Sequence, residues 1–191
     1  AFSTTSSLET FMRINNFTID RLSEQELVDC STENYGCNGG LMHLALDYVI
    51  DNNGLSSNDE YPYDPDNSYH CRLNLTKTLG SNIKAYSLTI PESISDLKYS
   101  VKKNPVAIAL DADNIFFRFY KKGIIDLPSN FSKNINHAVL LVGYDYDEDG
   151  MFWIIQNSWG KSWGENGFCK IRVKPNKGTL LSQLYGVYPS N

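Results

Sequence analysis

The feature that most restricts the fold is a change in hydrophobic period near the middle of this 191-residue chain. In the first half, apolar residues recur at helical spacing, as in Leu8, Phe11 and Met12. Ser23 and Glu26 have the spacing of a capping box that begins a second helix. In the second half, short apolar or β-branched runs alternate with Gly, Asn and Asp, which is typical of strands. Helices followed by strands predict an α+β protein.

The pattern also predicts where the chain divides. A helix is expected after Pro91, with Leu97 and Val101 on its inward face. The predicted strands cover residues 106–110, 116–120, 137–144, 151–156 and 168–173. We therefore expect a helical part over residues 1–85 and a β-rich part over residues 86–191, with a cleft where the two parts meet.

Composition and charge exclude several function classes. The net charge of −5 provides no electrostatic reason to bind nucleic acid or an anionic membrane. No apolar window is long enough to span a bilayer, and the first residues have neither the basic start nor the apolar stretch of a signal peptide. The chain does not begin with Met, so we expect a processed form or a fragment.

Cysteines and glycosylation motifs favour an oxidising compartment. Four cysteines are too few for a disulfide scaffold but suit a secreted domain with one or two bridges. Three Asn-x-Ser/Thr triplets make candidate glycosylation sites, at Asn16, Asn74 and Asn130. We expect a secreted or lysosome-like location, in an oxidising and potentially acidic compartment.

His137 and Asn157 are the residues that point most strongly to chemistry. His137 opens the apolar run 138–144, so its imidazole stands at the mouth of a buried strand, a position that also suits a core histidine. An asparagine at the end of a later strand can accept the imidazole N–H and leave the other ring nitrogen free for a thiol. Trp159 beside this pair would shield the hydrogen bond from water. Each residue alone can be explained by packing, but the combination is harder to explain in that way.

These motifs make the chain resemble the papain-like cysteine peptidases, in particular the cathepsin L type. The resemblance rests on Cys37-Asn38-Gly39-Gly40, His137-Ala138-Val139, Asn157-Ser158-Trp159-Gly160, Trp163-Gly164, the segments 23–30 and 61–63, and the opening Ala1-Phe2-Ser3. Segments 40–43, 104–109 and 136–144 are also similar to the cathepsins of insect viruses. The resemblance runs nearly end to end.

The resemblance implies a fold and a reaction. The family fold has a helical left domain, a β-barrel-like right domain and an active-site cleft between them. Its mechanism is that of a Cys-His-Asn endopeptidase. Carried over, His137 is the general base and acid, and Asn157 orients it. The resemblance implies no cofactor and no metal. It implies a monomer whose partners are peptide or protein substrates and cystatin-like or pro-segment inhibitors.

The resemblance also implies a substrate site. Its members would be Gly39, Gly40, Leu41, Met42, Ala109, Asn136, Ala138, Trp159 and Tyr185. The two glycines would offer a backbone edge to an extended substrate. Leu41, Met42, Ala109 and Ala138 would line the main specificity pocket, and Tyr185 would close its far end. We expect a preference for a bulky apolar side chain two residues before the cleaved bond.

The cysteines depart from the family pattern. The resemblance implies a disulfide between Cys30 and Cys71, leaves Cys37 unpaired and assigns no partner to Cys169. Reading back from Ala1, the nucleophile would stand two places before it, roughly 138 residues upstream of His137 and within the usual spacing of about 130–150. The oxyanion-hole glutamine would lie further upstream. We therefore expect this chain alone to be inactive.

Other interpretations remain open. A non-catalytic homologue that binds peptides or inhibitors would keep the same cleft, although it has no chemical need for both His137 and Asn157. Residues 145–150 resemble the start of a calcium loop, but Gln156 replaces the bidentate Glu, so we interpret them as an acidic hairpin turn. His and Cys pairs near residues 37–43 and 70–71 lack the C-x-x-C spacing of a structural zinc site.

Overall fold

The computed structural model describes residues 1–190 apart from 65, 67–69, 73–78, 81–82, 128–133 and 175–185. The chain forms two compact units, one of Ala1–Ser87 with Val187–Asn191 (unit 1) and one of Leu88–Gly186 (unit 2). The last strand, β9 (Val187–Ser190), is therefore grouped with the helical unit, whereas the sequence pattern placed it in the β-rich part. The predicted sites Asn74, Asn130 and Tyr185 lie outside the described residues.

Unit 1 is mainly helical. It contains α1 (Phe2–Ile14), α2 (Glu24–Cys30), a short 3₁₀ turn (Gly36–Asn38), α3 (Met42–Asp51), β1 (Gly54–Leu55), β2 (Leu79–Gly80) and β3 (Ala85–Leu88). The apolar stripe predicted for the first helix is buried, with Leu8 fully inaccessible. Leu46 and Val49 of α3 are equally buried, and α1 packs against α3. The two apolar stripes therefore form the core of this unit.

The second helix begins as its capping motif predicts, but its glutamate has a different role. Ser23 Oγ accepts a hydrogen bond from the backbone N–H of Glu26 at 2.9 Å, which satisfies one free donor of the first turn. In a capping box the glutamate would bind back to the residue-23 N–H, which here donates to the carbonyl of Ser56. The fully buried Glu26 carboxylate instead accepts from the Tyr48 hydroxyl at 3.0 Å and the Ser56 N–H at 2.7 Å. Glu26 thus joins three segments of unit 1.

A disulfide joins Cys30, at the end of α2, to Cys71. This pairing confirms the one that the resemblance implied. Beside it, the Tyr61 hydroxyl donates to Asp29 Oδ2 at 2.7 Å, and the ring of Tyr61 is 1% exposed. The bridge therefore ties the end of α2 to the loop that follows residue 60.

Unit 2 is built on a sheet. Its elements are α4 (Ile94–Lys103), β4 (Val106–Leu110), α5 (Ile115–Arg118), β5 (Ile124–Ile125), β6 (His137–Asp147), β7 (Gly150–Gln156) and β8 (Phe168–Arg172). The strands lie in the order β4-β6-β7-β8-β5, antiparallel except for the parallel pair of β5 and β8. Among the described strands, β5 pairs only with β8, so the sheet is open and is not a closed barrel.

The acidic segment after β6 is a hairpin turn, as predicted. Asp147 pairs with Gly150 where β6 turns into β7. The guanidinium of Arg172 binds both oxygens of Asp147, at 2.6 and 2.7 Å, and also donates to the Gly150 carbonyl at 2.8 Å. The turn is therefore held by an arginine from β8, and one of its carboxylates is already paired.

One predicted strand is wrong. Residues 116–120 were expected to form a strand, but the structure has the short helix α5 there. Asn114 caps it, because its side-chain oxygen accepts from the N–H of Phe117 at 2.8 Å. Phe117 is fully buried, while Ile115 and Phe119 are 67% and 73% exposed. An apolar run in which one residue per helical turn faces inward lacks the alternation of buried and exposed residues that a half-buried strand has.

No helix in the described part of the chain is both long and apolar enough to cross a membrane.

Candidate active site

The site in unit 2 centres on a hydrogen bond between His137 and Asn157. The ring nitrogen Nε2 of His137 lies 2.8 Å from Asn157 Oδ1. An amide oxygen only accepts, so Nε2 carries the proton and Nδ1 is left for another partner. The same oxygen accepts the N–H of Ser158 at 2.8 Å, which fixes the orientation of the amide. The asparagine therefore sets both the tautomer and the direction of the imidazole.

Strand register explains how two residues 20 apart in sequence meet. His137 is the first residue of β6, and Asn157 directly follows the last residue of β7. These strands are antiparallel, with Leu140 opposite Gln156, so the start of one lies beside the end of the other. On the other side of β6, His137 pairs with Leu110 at the end of β4. The imidazole thus stands at the end of an interior strand, between two paired neighbouring strands.

An aromatic cluster covers this pair. The indole of Trp159 lies 5.1 Å from the His137 ring, centroid to centroid, and 5.5 Å from Phe117. Beneath it, Trp163 packs 4.9 Å from Phe117 and donates its indole N–H to the Phe117 carbonyl at 3.2 Å. Trp159 is 41% exposed while Asn157 is 8% exposed. The cluster therefore covers the hydrogen bond while its outer face stays accessible.

The surroundings change the protonation of the histidine. Burial lowers the pKa of His137 below its ordinary value, and the hydrogen bond to Asn157 acts in the opposite direction. Among the described residues, no carboxylate forms a hydrogen bond or an ion pair with the ring. A nearby anion is the kind of group that would raise the pKa and hold the ring as imidazolium.

Asn136, predicted to bind substrate, forms hydrogen bonds with nearby residues through its side-chain amide. Its amide oxygen accepts the N–H of Ala112 at 2.9 Å, and its amide nitrogen donates to Asp111 Oδ1 at 3.2 Å. Asp111 is 3% exposed and also accepts the N–H of Asp113 at 3.0 Å. These contacts join the residue before His137 to the segment after β4. Sequence reasoning missed Asp111, whose only signal was a carboxylate directly after a buried strand.

A depression of about 540 Å³ opens beside the histidine. It is lined by Ala112, Asp113, Arg118, Phe119, Asn136, His137 and Trp159. Only Asn136, His137 and Trp159 of these were predicted site residues. The others come from α5 and the residues that directly flank it, and the incorrect strand prediction did not place them on the same side as the imidazole.

The remaining predicted substrate residues fall into two groups. In unit 2, Ala109 and Ala138 are directly paired across β4 and β6. In unit 1, Gly39 and Gly40 follow the 3₁₀ turn with φ of 102° and 157°. A side chain on Gly40 would collide with Asn34, whose Oδ1 accepts the N–H of Leu41 at 2.7 Å.

The two residues that follow these glycines differ in exposure. Leu41 is 42% exposed and Met42 is buried at the start of α3. The glycines are themselves exposed, so their backbone edge is accessible in unit 1.

The two cysteines outside the disulfide have opposite environments. Cys37 is exposed and free, and Cys169 is buried in β8 opposite Ile155 and free. Burial, with a smaller contribution from Glu165, raises the pKa of Cys169 to about 12. A thiol with such a pKa is not a ready nucleophile, because the thiolate is the reactive form. Within the described residues, no three His, Cys, Asp or Glu side chains are grouped as metal ligands.

Comparison with known proteins matches the chain to one family. The family described as papain family cysteine protease matches residues 1–187. A cathepsin L-like protein of Caenorhabditis elegans is 43% identical over 180 residues, covering 92% of this chain and 53% of the relative. The viral cathepsin of Choristoneura fumiferana defective polyhedrosis virus is 38% identical over 186 residues, covering 96% and 55%. The chain therefore spans about half the length of the curated relatives that it matches.

Solved structures show the same fold. The bromelain protease from Ananas comosus, in complex with the E64 inhibitor, aligns with a TM-score of 0.88 at 32% identity. That alignment covers 99% of this chain and 86% of the bromelain chain. The Amb a 11 cysteine protease, a ragweed pollen allergen solved in its proform, also aligns with a TM-score of 0.88 at 31% identity. It covers 98% of this chain and 51% of that one.

Proposed function

The chain belongs to the papain family of cysteine proteases, and from this premise we propose that the protein is an endopeptidase of the Cys-His-Asn type. The hydrogen bond of 2.8 Å between His137 and Asn157, covered by Trp159, is the observation that carries the proposal. A binding protein has no need for an imidazole held in one tautomer with its other nitrogen free. A peptidase needs this, because one nitrogen must exchange protons with the thiol, the leaving amine and water.

The reaction divides into two steps. A thiolate sulfur attacks the peptide carbonyl carbon, and the C–N bond breaks as the His137 imidazolium gives its proton to the leaving amine. Water then attacks the thioester carbon while His137 accepts one of its protons. The C–S bond breaks, the acid product leaves, and the thiolate–imidazolium pair is restored. Asn157 holds the ring through both steps, so the same nitrogen faces each proton donor and acceptor.

We propose that the thiol and the oxyanion donor come from residues that precede Ala1 in the complete protein. The proposal is supported by the family resemblance, which implies a nucleophile two residues before Ala1, and by the relatives, which are about twice as long as this chain. The high pKa of Cys169 and its burial make it unsuitable as a substitute. On this proposal the 191 residues alone do not hydrolyse peptides.

Substrate preference, partners and compartment follow from the same family. Leu41, Met42, Ala109 and Ala138, with Tyr185, would bind a bulky apolar side chain two residues before the cleaved bond. A substrate series with Leu, Phe and Arg at that position tests this, and a preference for Arg would contradict it.

We expect the protein to be a monomer and to be bound by pro-segment, cystatin-like and E64-type inhibitors. The Cys30–Cys71 disulfide supports a secreted or lysosome-like oxidising compartment.

The proposal is tested on the complete protein, expressed with the segment that precedes Ala1 in its gene. We expect hydrolysis of a Leu- or Phe-containing peptide and a covalent adduct with E64. His137→Ala is expected to lower kcat by at least about 100-fold, as for loss of a general acid–base. Asn157→Ala is expected to lower it by roughly tenfold to 100-fold, since the base remains but its orientation is lost.

Two controls make the result decisive. Lys121→Ala changes an exposed residue of unit 2 and is expected to keep full activity. Circular dichroism and thermal melting of each variant separate loss of catalysis from loss of folding. A folded protein that binds peptides but yields neither hydrolysis nor adduct would favour the non-catalytic homologue instead.

A further inference from the structure

The depression beside His137 contains a positive charge that has no role in the proposed reaction. Among its lining residues Arg118 is the one with a permanent positive charge, and it extends from the end of α5. Its nearest carboxylate is Asp113, at 3.7 Å from Nη1, which is longer than a hydrogen bond. The guanidinium makes no hydrogen bond with any residue that the structure describes. Its donors therefore face the depression without strong partners.

The surrounding surface suits a short peptide segment rather than a bare ion. Phe119 and Trp159 line the same depression and are 73% and 41% exposed. Ile115, on the same helix as Arg118, is 67% exposed. Apolar rings beside a guanidinium that has only one long ion pair can pack against an aliphatic stem while the cation binds its carboxylate. A planar guanidinium can bind a carboxylate in a two-pronged manner, which a single long contact to Asp113 does not provide.

The position beside His137 identifies which part of a substrate would lie there. Resting on the proposed function, His137 gives its proton to the leaving amine, so the residues after the cleaved bond depart past its ring. His137, Trp159 and Arg118 all line this one depression. A segment that begins at the leaving amine therefore reaches Arg118 within its first residues.

We propose that Arg118 is a specificity-determining residue that binds a carboxylate in the leaving-group segment. That carboxylate is either an acidic side chain just after the cleaved bond or the free carboxyl end of a short substrate. Asp113 competes with it for the guanidinium. Substrates with Glu or Asp after the cleaved bond, or with a nearby free carboxyl terminus, are therefore cleaved in preference to their neutral counterparts.

The kinetic test uses the complete active protein and matched peptides. Peptides carry Glu, Gln or Lys at the first residue after the cleaved bond, each as the carboxyl-terminal amide. The Gln peptide is also made as the free acid, which separates the two sources of carboxylate. We expect kcat/KM to favour Glu over Gln by about fivefold, the size of an ion pair at a partly exposed site, and to fall further for Lys.

Variants assign the preference to one side chain. Arg118→Leu is expected to reduce the ratio of kcat/KM for Glu over Gln to about one, while hydrolysis of the Gln peptide continues. Asp113→Asn is expected to increase the ratio, because it removes the competing carboxylate. Lys121→Leu removes an exposed cation outside the depression and is expected to leave the ratio unchanged. An unchanged ratio in Arg118→Leu, or an equal fall in Lys121→Leu, overturns the proposal.

A binding measurement decides the question even if no hydrolysis is found. The dipeptide amides Glu-Ala and Gln-Ala are titrated into the protein while the indole N–H resonance of Trp159 is followed by NMR. We expect a shift with Glu-Ala at concentrations where Gln-Ala has little effect, and its loss in Arg118→Leu. Equal shifts with both peptides, or a shift that persists in Arg118→Leu, contradict the role of Arg118. Hydrolysis without this selectivity leaves the peptidase proposal intact and removes only this one.

Discussion

At the scale of single residues, the same chemical group has different properties according to its surroundings. The two free cysteines illustrate this: Cys37 is exposed, whereas Cys169 is fully inaccessible within β8. Their sequence neighbours contain a partial signal, because Cys169 lies in an apolar strand pattern and Cys37 lies among Asn and Gly. The pKa of Cys169, about 12, depends on burial that only the packed sheet creates.

We expect Cys169 to resist alkylation in the native protein. With a pKa of about 12 instead of the ordinary 9.0, little of the thiol is ionised at pH 8. Iodoacetamide should therefore modify it at least about 100-fold more slowly than in the denatured chain. Peptide mass mapping over time measures this rate, with the guanidinium-unfolded protein as the control. Equal rates in the two states would show that the thiol is accessible and ionisable in the fold.

Glu165 is expected to make the stability of the protein depend on pH. Its Oε1 accepts from the Tyr120 hydroxyl at 2.7 Å and the Gly123 N–H at 3.0 Å, and its Oε2 pairs with Lys170 at 2.9 Å. The hydrogen bond from Tyr120, then that from Lys170, lowers the pKa of Glu165 below its ordinary 4.5. A lowered pKa means that the ionised form stabilises the fold.

The sign of the pH effect follows from that shift. The stabilisation is complete above the ordinary pKa of 4.5 and is lost as pH falls through the lower pKa of the folded protein. Glu165→Gln should therefore be less stable than wild type at pH 7, and the difference should shrink toward zero in strong acid. Urea unfolding at several pH values measures it. A difference that is constant with pH would mean that the carboxylate charge plays no part.

At the scale of secondary-structure elements, local signals predicted the main helices and the longer strands β4, β6, β7 and β8. Ser23 caps α2 at the position that its motif indicated, and the Asp147–Gly150 turn joins β6 to β7. Two features were missed. The helix α5 (Ile115–Arg118), capped by Asn114, replaces the strand predicted over 116–120, and Glu26 binds Tyr48 and Ser56 instead of closing its capping box. The Asn114 cap is a local signal that the strand prediction overlooked, whereas for Glu26 tertiary partners outweighed the local pattern.

The β6–β7 turn should depend on Arg172. This arginine binds both oxygens of Asp147 and the Gly150 carbonyl, and its side chain is 9% exposed. A lysine keeps the charge but cannot make the two-pronged contact. Arg172→Lys is expected to lower the free energy of unfolding by about 1–2 kcal/mol, measured with urea.

A matched variant defines the specificity of that effect. Arg21 makes a single contact with Glu24, and its side chain is 60% exposed. Arg21→Lys should change the free energy of unfolding by less than about 0.5 kcal/mol. If Arg172→Lys had an equally small effect on the free energy of unfolding, the ion pair with Asp147 would not contribute measurably to stability.

At the scale of the whole molecule, the family and the α+β class were readable from the sequence, whereas the details of the sheet were not. The sheet of unit 2 is open, although a barrel-like part was expected from the resemblance. The last strand, β9, groups with the helical unit. Both features depend on pairings between distant segments, which apolar periodicity cannot specify.

The disulfide is the largest single constraint that the sequence predicted. It closes a loop across a sequence separation of 41. Replacing both Cys30 and Cys71 with Ala should lower the free energy of unfolding by about 2–4 kcal/mol, because the unfolded chain regains the freedom of that loop. Thermal melting with and without reductant gives a direct control: reductant should destabilise the wild type and leave the variant unchanged. Sensitivity of the variant to reductant would point to another bridge.

The helical stripes, the cap at Ser23 and the family could be predicted from the sequence, and the family resemblance in turn implied the pairing of Cys30 with Cys71 and the proposed roles of His137 and Asn157. These depend on residue type and on spacing within a few positions, or on motifs that keep their order along the chain. The contact of His137 with Asn157 at 2.8 Å, the high pKa of Cys169, and the depression with Arg118 beside the imidazole could be seen only in the folded protein. Strand register and burial bring together groups that are far apart in sequence, and the free energy of such contacts exists only once the chain has packed.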